Sequence, residues 1–146
     1  MKTKLAILLS VMLSTSSVAA ETLVIGPGSG WSEGGSPRRY MRERDAVDRV
    51  EVRTRCVSSC VLLLGAESAC VEPEERIGFH PVRWFHVKVA DRHIQRLFAD
   101  ELNRVGNGTL GEWYFNSKEV HSLPASGKYK YLSGQTLIET FGVEEC

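Results

Sequence analysis

The sequence predicts an α/β domain with mainly parallel strands and flanking helices. Short β-prone runs alternate with stretches of helical periodicity between residues 21 and 143, the pattern of strands connected by crossover helices. Val61-Leu62-Leu63-Leu64 is apolar all round, as a helix buried on every side would be. Setting aside a 20-residue leader from the 146-residue chain leaves 126 residues, enough for one domain with a real core.

The leader is the first element. Met1-Lys2-Thr3-Lys4 gives a basic start, Leu5 to Leu13 an apolar run, and Val18-Ala19-Ala20 the small residues read by a signal peptidase. This predicts an export signal over 1–20, cleaved after Ala20, and a periplasmic or secreted domain over 21–146. The run is far shorter than the roughly 18 apolar residues that span a bilayer, so no membrane anchor is expected after cleavage.

Glu21 to Ile25 reads as a strand, followed by two glycine clusters, Gly26-Pro27-Gly28-Ser29-Gly30 and Gly34-Gly35-Ser36-Pro37, which predict tight turns. Pro37 opens a helix over 37–48, with Tyr40, Met41, Arg44 and Val47 at helical spacing. Val50 to Thr54 alternates as a strand, and Ser58 to Gly65 is the buried helix. Ala69–Val71 and Arg76–His80 are two short strands about a Glu72-Pro73-Glu74-Glu75 turn. Asp91 can cap a helix bearing Ile94, Leu97, Phe98, Leu102 and Val105, stopped at Gly106-Asn107-Gly108. A shorter helix is expected over 112–120, and residues 132–141 end in a helical turn before Gly142. Trp113, Tyr114 and Phe115 are consecutive and cannot share one helix face, so at least one is expected to be exposed or at an interface.

Charge excludes some partners. Two of the 18 basic residues, Lys2 and Lys4, lie in the leader, so 16 basic residues face 18 acidic ones beyond it. A balance near −2 predicts no charge-driven binding of nucleic acid or membrane. The four cysteines, Cys56, Cys60, Cys70 and Cys146, predict two disulfides in an oxidising compartment. Three pairings are possible; Cys60–Cys70 with Cys56–Cys146 is the expected one. Zinc on Cys56, Cys60 and His80 fits no tight structural pattern, because the spacing is Cys-x3-Cys; no metal or cofactor is expected.

The chemistry-bearing stretch is Arg55-Cys56-Val57-Ser58-Ser59-Cys60-Val61-Leu62-Leu63-Leu64-Gly65, followed by Arg76-Ile77-Gly78-Phe79-His80-Pro81. A strand running straight into a buried helix places Ser58 at a sharp junction, where unpaired helix N-terminal amides stabilise an anion. His80, at the end of the next strand, is a general base for that hydroxyl if the two meet. The plain structural alternatives are an N-capping serine and a hydrogen-bonded histidine at a strand end.

These motifs resemble the core of the Clp-type serine peptidases of the ClpP/crotonase superfamily. They are closer to an exported bacterial branch carrying Cys-x-Ser-x-Cys and Gly-Phe-His. Ser32-Glu33-Gly34-Gly35 resembles that family's upstream Ser-x-Gly-Gly loop, and Tyr131-Leu132-Ser133 through Phe141-Gly142-Val143 its closing segment. The resemblance implies Ser58 as nucleophile, His80 as base, and the backbone N–H groups of Gly35 and Ser59 as the oxyanion hole. The substrate it implies is a peptide or other acyl compound. The family's orienting aspartate aligns with Tyr129, so Tyr129, Glu119 and His121 are the alternatives for a third member. The chain is shorter than a typical family member, and an exported domain meets no ATP-driven partner, so no ring or ATPase is carried over. A catalytically inactive binding domain of the bacterial envelope is the competing reading, and a thiol redox or metal protein would require free cysteines. Trp84, Phe85 and His86 could wall a groove, though lid or core packing is the commoner role, and Arg38 and Arg39 are more simply a solvated helix start.

Overall fold

Thr22-Leu23-Val24-Ile25 and Arg49-Val50-Glu51-Val52 are rich in β-branched residues, which suit a pleated surface. In the computed structural model, which describes residues 20–31, 35–82, 92–104, 108–124 and 127–146, they form the parallel strands β1 (Thr22–Ile25) and β2 (Arg49–Val52), with Leu23 opposite Val50 and Ile25 opposite Val52. β4 (Ala69–Val71) and β7 (Glu144–Glu145) extend this sheet in the order β1-β2-β4-β7, every pair parallel. A second sheet contains β3 (Cys56–Val57), β5 (Arg76–Phe79) and β6 (Lys130–Ser133), with β3 parallel and β6 antiparallel to the central β5. The predicted α/β architecture with mainly parallel strands and flanking helices is what the chain adopts. The leader lies almost wholly outside the described residues, as do Trp84 to His86, Asp91, Val105 and most of the Ser-x-Gly-Gly loop.

The predicted strand 50–54 ends early: β2 stops at Val52, and the chain resumes pairing only at Cys56, in the other sheet. Helix α1 (Pro37–Asp45) stops three residues short of the expected end. The backbone N–H groups of Asp48 and Arg49 instead donate to the Glu21 carbonyl at 2.9 and 3.3 Å, so β1 captures the residues that would have prolonged the helix.

The segment Ser58–Gly65 is helical as expected but wound as a 3₁₀ helix, and residues 59–65 are all buried. It lies against both α1 and α2 (Arg92–Leu102). A Cβ at Gly65 would come within 2.4 Å of the Glu101 carbonyl oxygen and 2.7 Å of Arg44 Nη1, so only glycine permits this approach. Buried Arg44 ties the layers together. Its guanidinium donates to the Leu62 carbonyl at 3.2 Å, to Asp45 Oδ1 at 2.8 Å and to Glu101 Oε2 at 2.8 Å.

On α2 the buried face is Gln95, Ala99 and Leu102, with Ile94 and Phe98 half-buried. Leu97, expected to face inward, is 49% exposed, because it lies about 200° around the helix from Gln95. The expected helix over 112–120 is two helices, α3 (Leu110–Asn116) and α4 (Lys118–His121), broken at Ser117. Ser117 leaves helical geometry and caps α4, its hydroxyl accepting from the Val120 N–H at 3.2 Å. β6 precedes α5 (Gly134–Phe141), whose cap is Ser133; residues 132–133 therefore belong to a strand. Of the aromatic trio, Tyr114 is fully buried and Trp113 and Phe115 are half-buried. None is left exposed, since the guanidiniums of Arg92 and Arg96 cover the Phe115 ring at 3.9 and 3.7 Å.

The disulfides are Cys56–Cys60 and Cys70–Cys146, which corrects the expected pairing. Parallel pairing sets Cys70 opposite Glu144, so Cys146 arrives beside β4 and its N–H donates to the Val71 carbonyl at 3.2 Å. The sharp turn after β3 brings Cys60 back to Cys56, with Cα atoms 5.4 Å apart, within bonding range.

Candidate active site

Parallel pairing of β3 with β5 sets Cys56 opposite Ile77 and Val57 opposite Gly78. Ser58 and His80 therefore follow the carboxyl ends of two neighbouring parallel strands, the edge where open α/β sheets collect ligands. Continuing the β5–β6 register past Phe79–Lys130 brings Tyr129 alongside His80. Their rings meet edge to face, with centroids 5.5 Å apart.

Ser58 Oγ lies 2.8 Å from His80 Nε2, and the serine is half-buried. Its φ is +59°, the one positive value at a non-glycine among the described residues. A left-handed L-residue costs roughly 1–2 kcal/mol, and such a strained strand-to-helix turn is how a nucleophile elbow lifts its hydroxyl off the backbone. The Cys56–Cys60 disulfide closes this turn on both sides of Ser58. N-capping, the simpler use of a serine here, is not what Ser58 does. The cap position is Val57, without a side-chain bond, and the Ser58 hydroxyl points to the imidazole instead.

The imidazole has a defined proton arrangement. Nδ1 is 3.0 Å from the Pro81 carbonyl oxygen, a group that only accepts. Nδ1 is therefore the protonated nitrogen, and the Nε2 lone pair faces the Ser58 hydroxyl, which donates to it. This is the tautomer a general base requires. Gly78 makes room for the ring's surroundings: a Cβ there would meet Val57 Cγ1 at 2.7 Å, Tyr131 Cε1 at 2.9 Å and Tyr129 Cβ at 3.1 Å.

Ser59 is buried, and its hydroxyl donates to the Gly35 carbonyl at 2.8 Å, so the glycine turn is tied to the residue after Ser58. That brings together all four residues assigned to nucleophile, base and oxyanion hole. The third-member alternatives fare differently. Tyr129 touches the His80 ring, whereas Glu119 is paired with Lys130. His121 donates through Nε2 to the Tyr114 carbonyl at 2.8 Å. All four cysteines are disulfide-bonded, leaving no thiolate beside Ser58 for nucleophilic attack or zinc. The basic residues by the glycine turn are partly engaged, Arg39 stacking over Trp31 at 3.9 Å.

Two residues of the site carry no signal of their role in the sequence: Pro81, which acts through its backbone carbonyl, and Tyr114, one of three consecutive aromatics. No known protein family, curated protein or solved structure matches this chain. What the site does must therefore be argued from its own geometry.

Proposed function

We propose that this domain is a serine hydrolase, acting on peptide or other acyl bonds through a Ser58–His80 pair. The observation that carries the reading is the 2.8 Å contact between Ser58 Oγ and His80 Nε2 at a backbone φ of +59°. A strained backbone costs stability and recurs where a site uses it.

In the proposed mechanism Ser58 Oγ forms a bond to the acyl carbon as its proton moves to His80 Nε2, and the carbonyl π pair shifts to oxygen. The backbone N–H groups of Gly35 and Ser59 hold that oxyanion. Collapse breaks the bond to the leaving amine or alcohol, which takes the proton from Nε2. Water then repeats the sequence on the acyl-serine and regenerates the enzyme. The Pro81 carbonyl carries no charge, so it fixes the base without stabilising imidazolium as a carboxylate would.

The resemblance to ClpP/crotonase peptidases supports the same assignment, and with it an exported, periplasmic setting. Two disulfides fit an oxidising compartment, and among the described residues no helix is long and apolar enough to cross a membrane. Tyr129 at the aligned acid position favours the second reading, a binding domain that keeps the cleft without catalysis. Labelling the purified protein with a fluorophosphonate decides between them. A serine hydrolase labels, and Ser58→Ala and His80→Ala abolish or strongly slow it. Absence of labelling, or labelling indifferent to Ser58→Ala, favours the binding domain.

A further inference from the structure

We infer that Tyr114 is a positioning residue for the Ser58–His80 pair, its hydroxyl clamping the 80–82 turn so that the Pro81 carbonyl acts as a neutral orienting group for His80. The inference deepens the hydrolase reading and rests on it.

Tyr114 is fully buried on α3, yet its hydroxyl makes two backbone bonds on either side of Pro81. It donates to the His80 carbonyl at 3.2 Å and accepts from the Val82 N–H at 3.1 Å. Between those two points stands a proline, whose ring fixes its own φ. The turn is thus held at both ends by one side chain and stiffened in the middle. The direction of the Pro81 carbonyl, which meets the base at Nδ1, is set by this arrangement. Tyr114 is itself immobilised. Its ring packs on Phe98, His121 and Phe79 with centroids 4.9, 5.3 and 6.4 Å apart, and its own carbonyl accepts from His121 Nε2. Burial pushes its phenol well above the ordinary value, so the hydroxyl remains a donor throughout the working pH range.

In catalytic triads the carboxylate selects the tautomer and aims the ring. Here a backbone carbonyl 3.0 Å from Nδ1 does both, and a second-layer side chain keeps that carbonyl in place, as outer partners orient ligating histidines in metal sites. A buried phenol bridging two backbone groups of the base's own turn is hard to explain as packing alone, since phenylalanine would fill the same space without needing partners.

The test uses the full, disulfide-bonded protein with ¹⁵N-labelled histidine. At a pH where the ring is neutral, long-range ¹H–¹⁵N spectra are expected to show His80 protonated on Nδ1 and bare on Nε2. Tyr114→Phe should mix in the opposite tautomer and slow fluorophosphonate labelling by about tenfold or more, the range over which orienting partners act. Val50→Ala, a buried truncation in the other sheet that leaves Tyr114 and its packing intact, should label within about twofold of wild type. An Nε2-protonated His80 in the wild-type protein overturns the inference whatever the activity. So does a Tyr114→Phe variant with unchanged tautomer and labelling, or an equal loss in Val50→Ala. If the wild type does not label but shows the Nδ1–H tautomer and loses it in Tyr114→Phe, the clamp stands and the hydrolase reading falls.

Discussion

Replacing Ser58 by glycine and, separately, by alanine isolates the strain at the turn. Both variants lose the hydroxyl and its 2.8 Å bond to His80, so any difference between them arises from the Cβ held at φ +59°. A left-handed L-residue costs roughly 1–2 kcal/mol. Glycine avoids that cost, and its greater freedom in the unfolded chain takes back about 0.5–1 kcal/mol. The net expectation is that Ser58→Gly is about 0.5–1 kcal/mol more stable than Ser58→Ala. Equilibrium urea unfolding with the disulfides intact measures it. With an m-value of about 1–3 kcal/mol/M, the glycine variant should unfold at a midpoint roughly 0.2–1 M higher, with m unchanged. Neither variant should label with a fluorophosphonate. Equal midpoints, or an alanine variant more stable than the glycine one, would mean that the backbone at 58 is not held left-handed, and the elbow would have to be abandoned.

Further expectations follow from other contacts. Removing the long-range disulfide with Cys70→Ser and Cys146→Ser, a sequence separation of 76, should cost about 4 kcal/mol, whereas Cys56→Ser with Cys60→Ser, a separation of 4, should cost only about 2 kcal/mol; yet the short pair should abolish Ser58 labelling at temperatures where the fold persists, as circular dichroism beside labelling would show. Arg44→Met should cost about 2–3 kcal/mol in urea unfolding by stranding the Leu62 carbonyl. Hydrogen bonding from Arg44 holds the Asp45 carboxyl below its usual value. Its contribution is present above the unfolded pKa of roughly 3.9 and lost as pH falls through the lower folded value, so the acid limb of the stability profile should flatten in Arg44→Met. Burial, with the Tyr114 carbonyl opposing, lowers the His121 pKa, so stability should also decline as pH drops below about 6.5, and His121→Gln should remove that slope in a series of melts. Gln95 is buried, and among the described residues neither amide atom finds a hydrogen-bond partner, so Gln95→Met should raise stability by roughly 1 kcal/mol, measured by urea midpoint.

Much of the fold was legible because its signals are local. Pro37 marks the start of α1, and the apolar run 61–64 announces a segment buried on all sides. What escaped depends on pairing between distant residues. Nothing local in Arg49 to Val57 says that the chain leaves one sheet at Val52 and enters another at Cys56. Glu144 and Glu145, two acidic residues with poor strand propensity, become β7 by pairing with distant β4, next to the Cys70–Cys146 bond. The cysteine pairing escaped for the same reason, since composition fixes the number of bridges and register fixes the partners.

The site divides along the same line. Ser58 and His80 were visible as residue types at the ends of neighbouring elements, and the parallel register of β3 with β5 is what turns 22 residues of separation into 2.8 Å. Of the three side chains the sequence offers as a third member, only Tyr129 touches the ring. A backbone carbonyl has no signature in sequence, and Tyr114 stands 34 residues from the carbonyl to which it donates. The same substitution, Tyr114→Phe, would pass for conservative in sequence, because it keeps the ring, the hydrophobicity and almost all the volume. On this geometry it removes the hydroxyl that ties both ends of the 80–82 turn, so its effect should fall on the tautomer and the labelling rate much more than on the midpoint of unfolding.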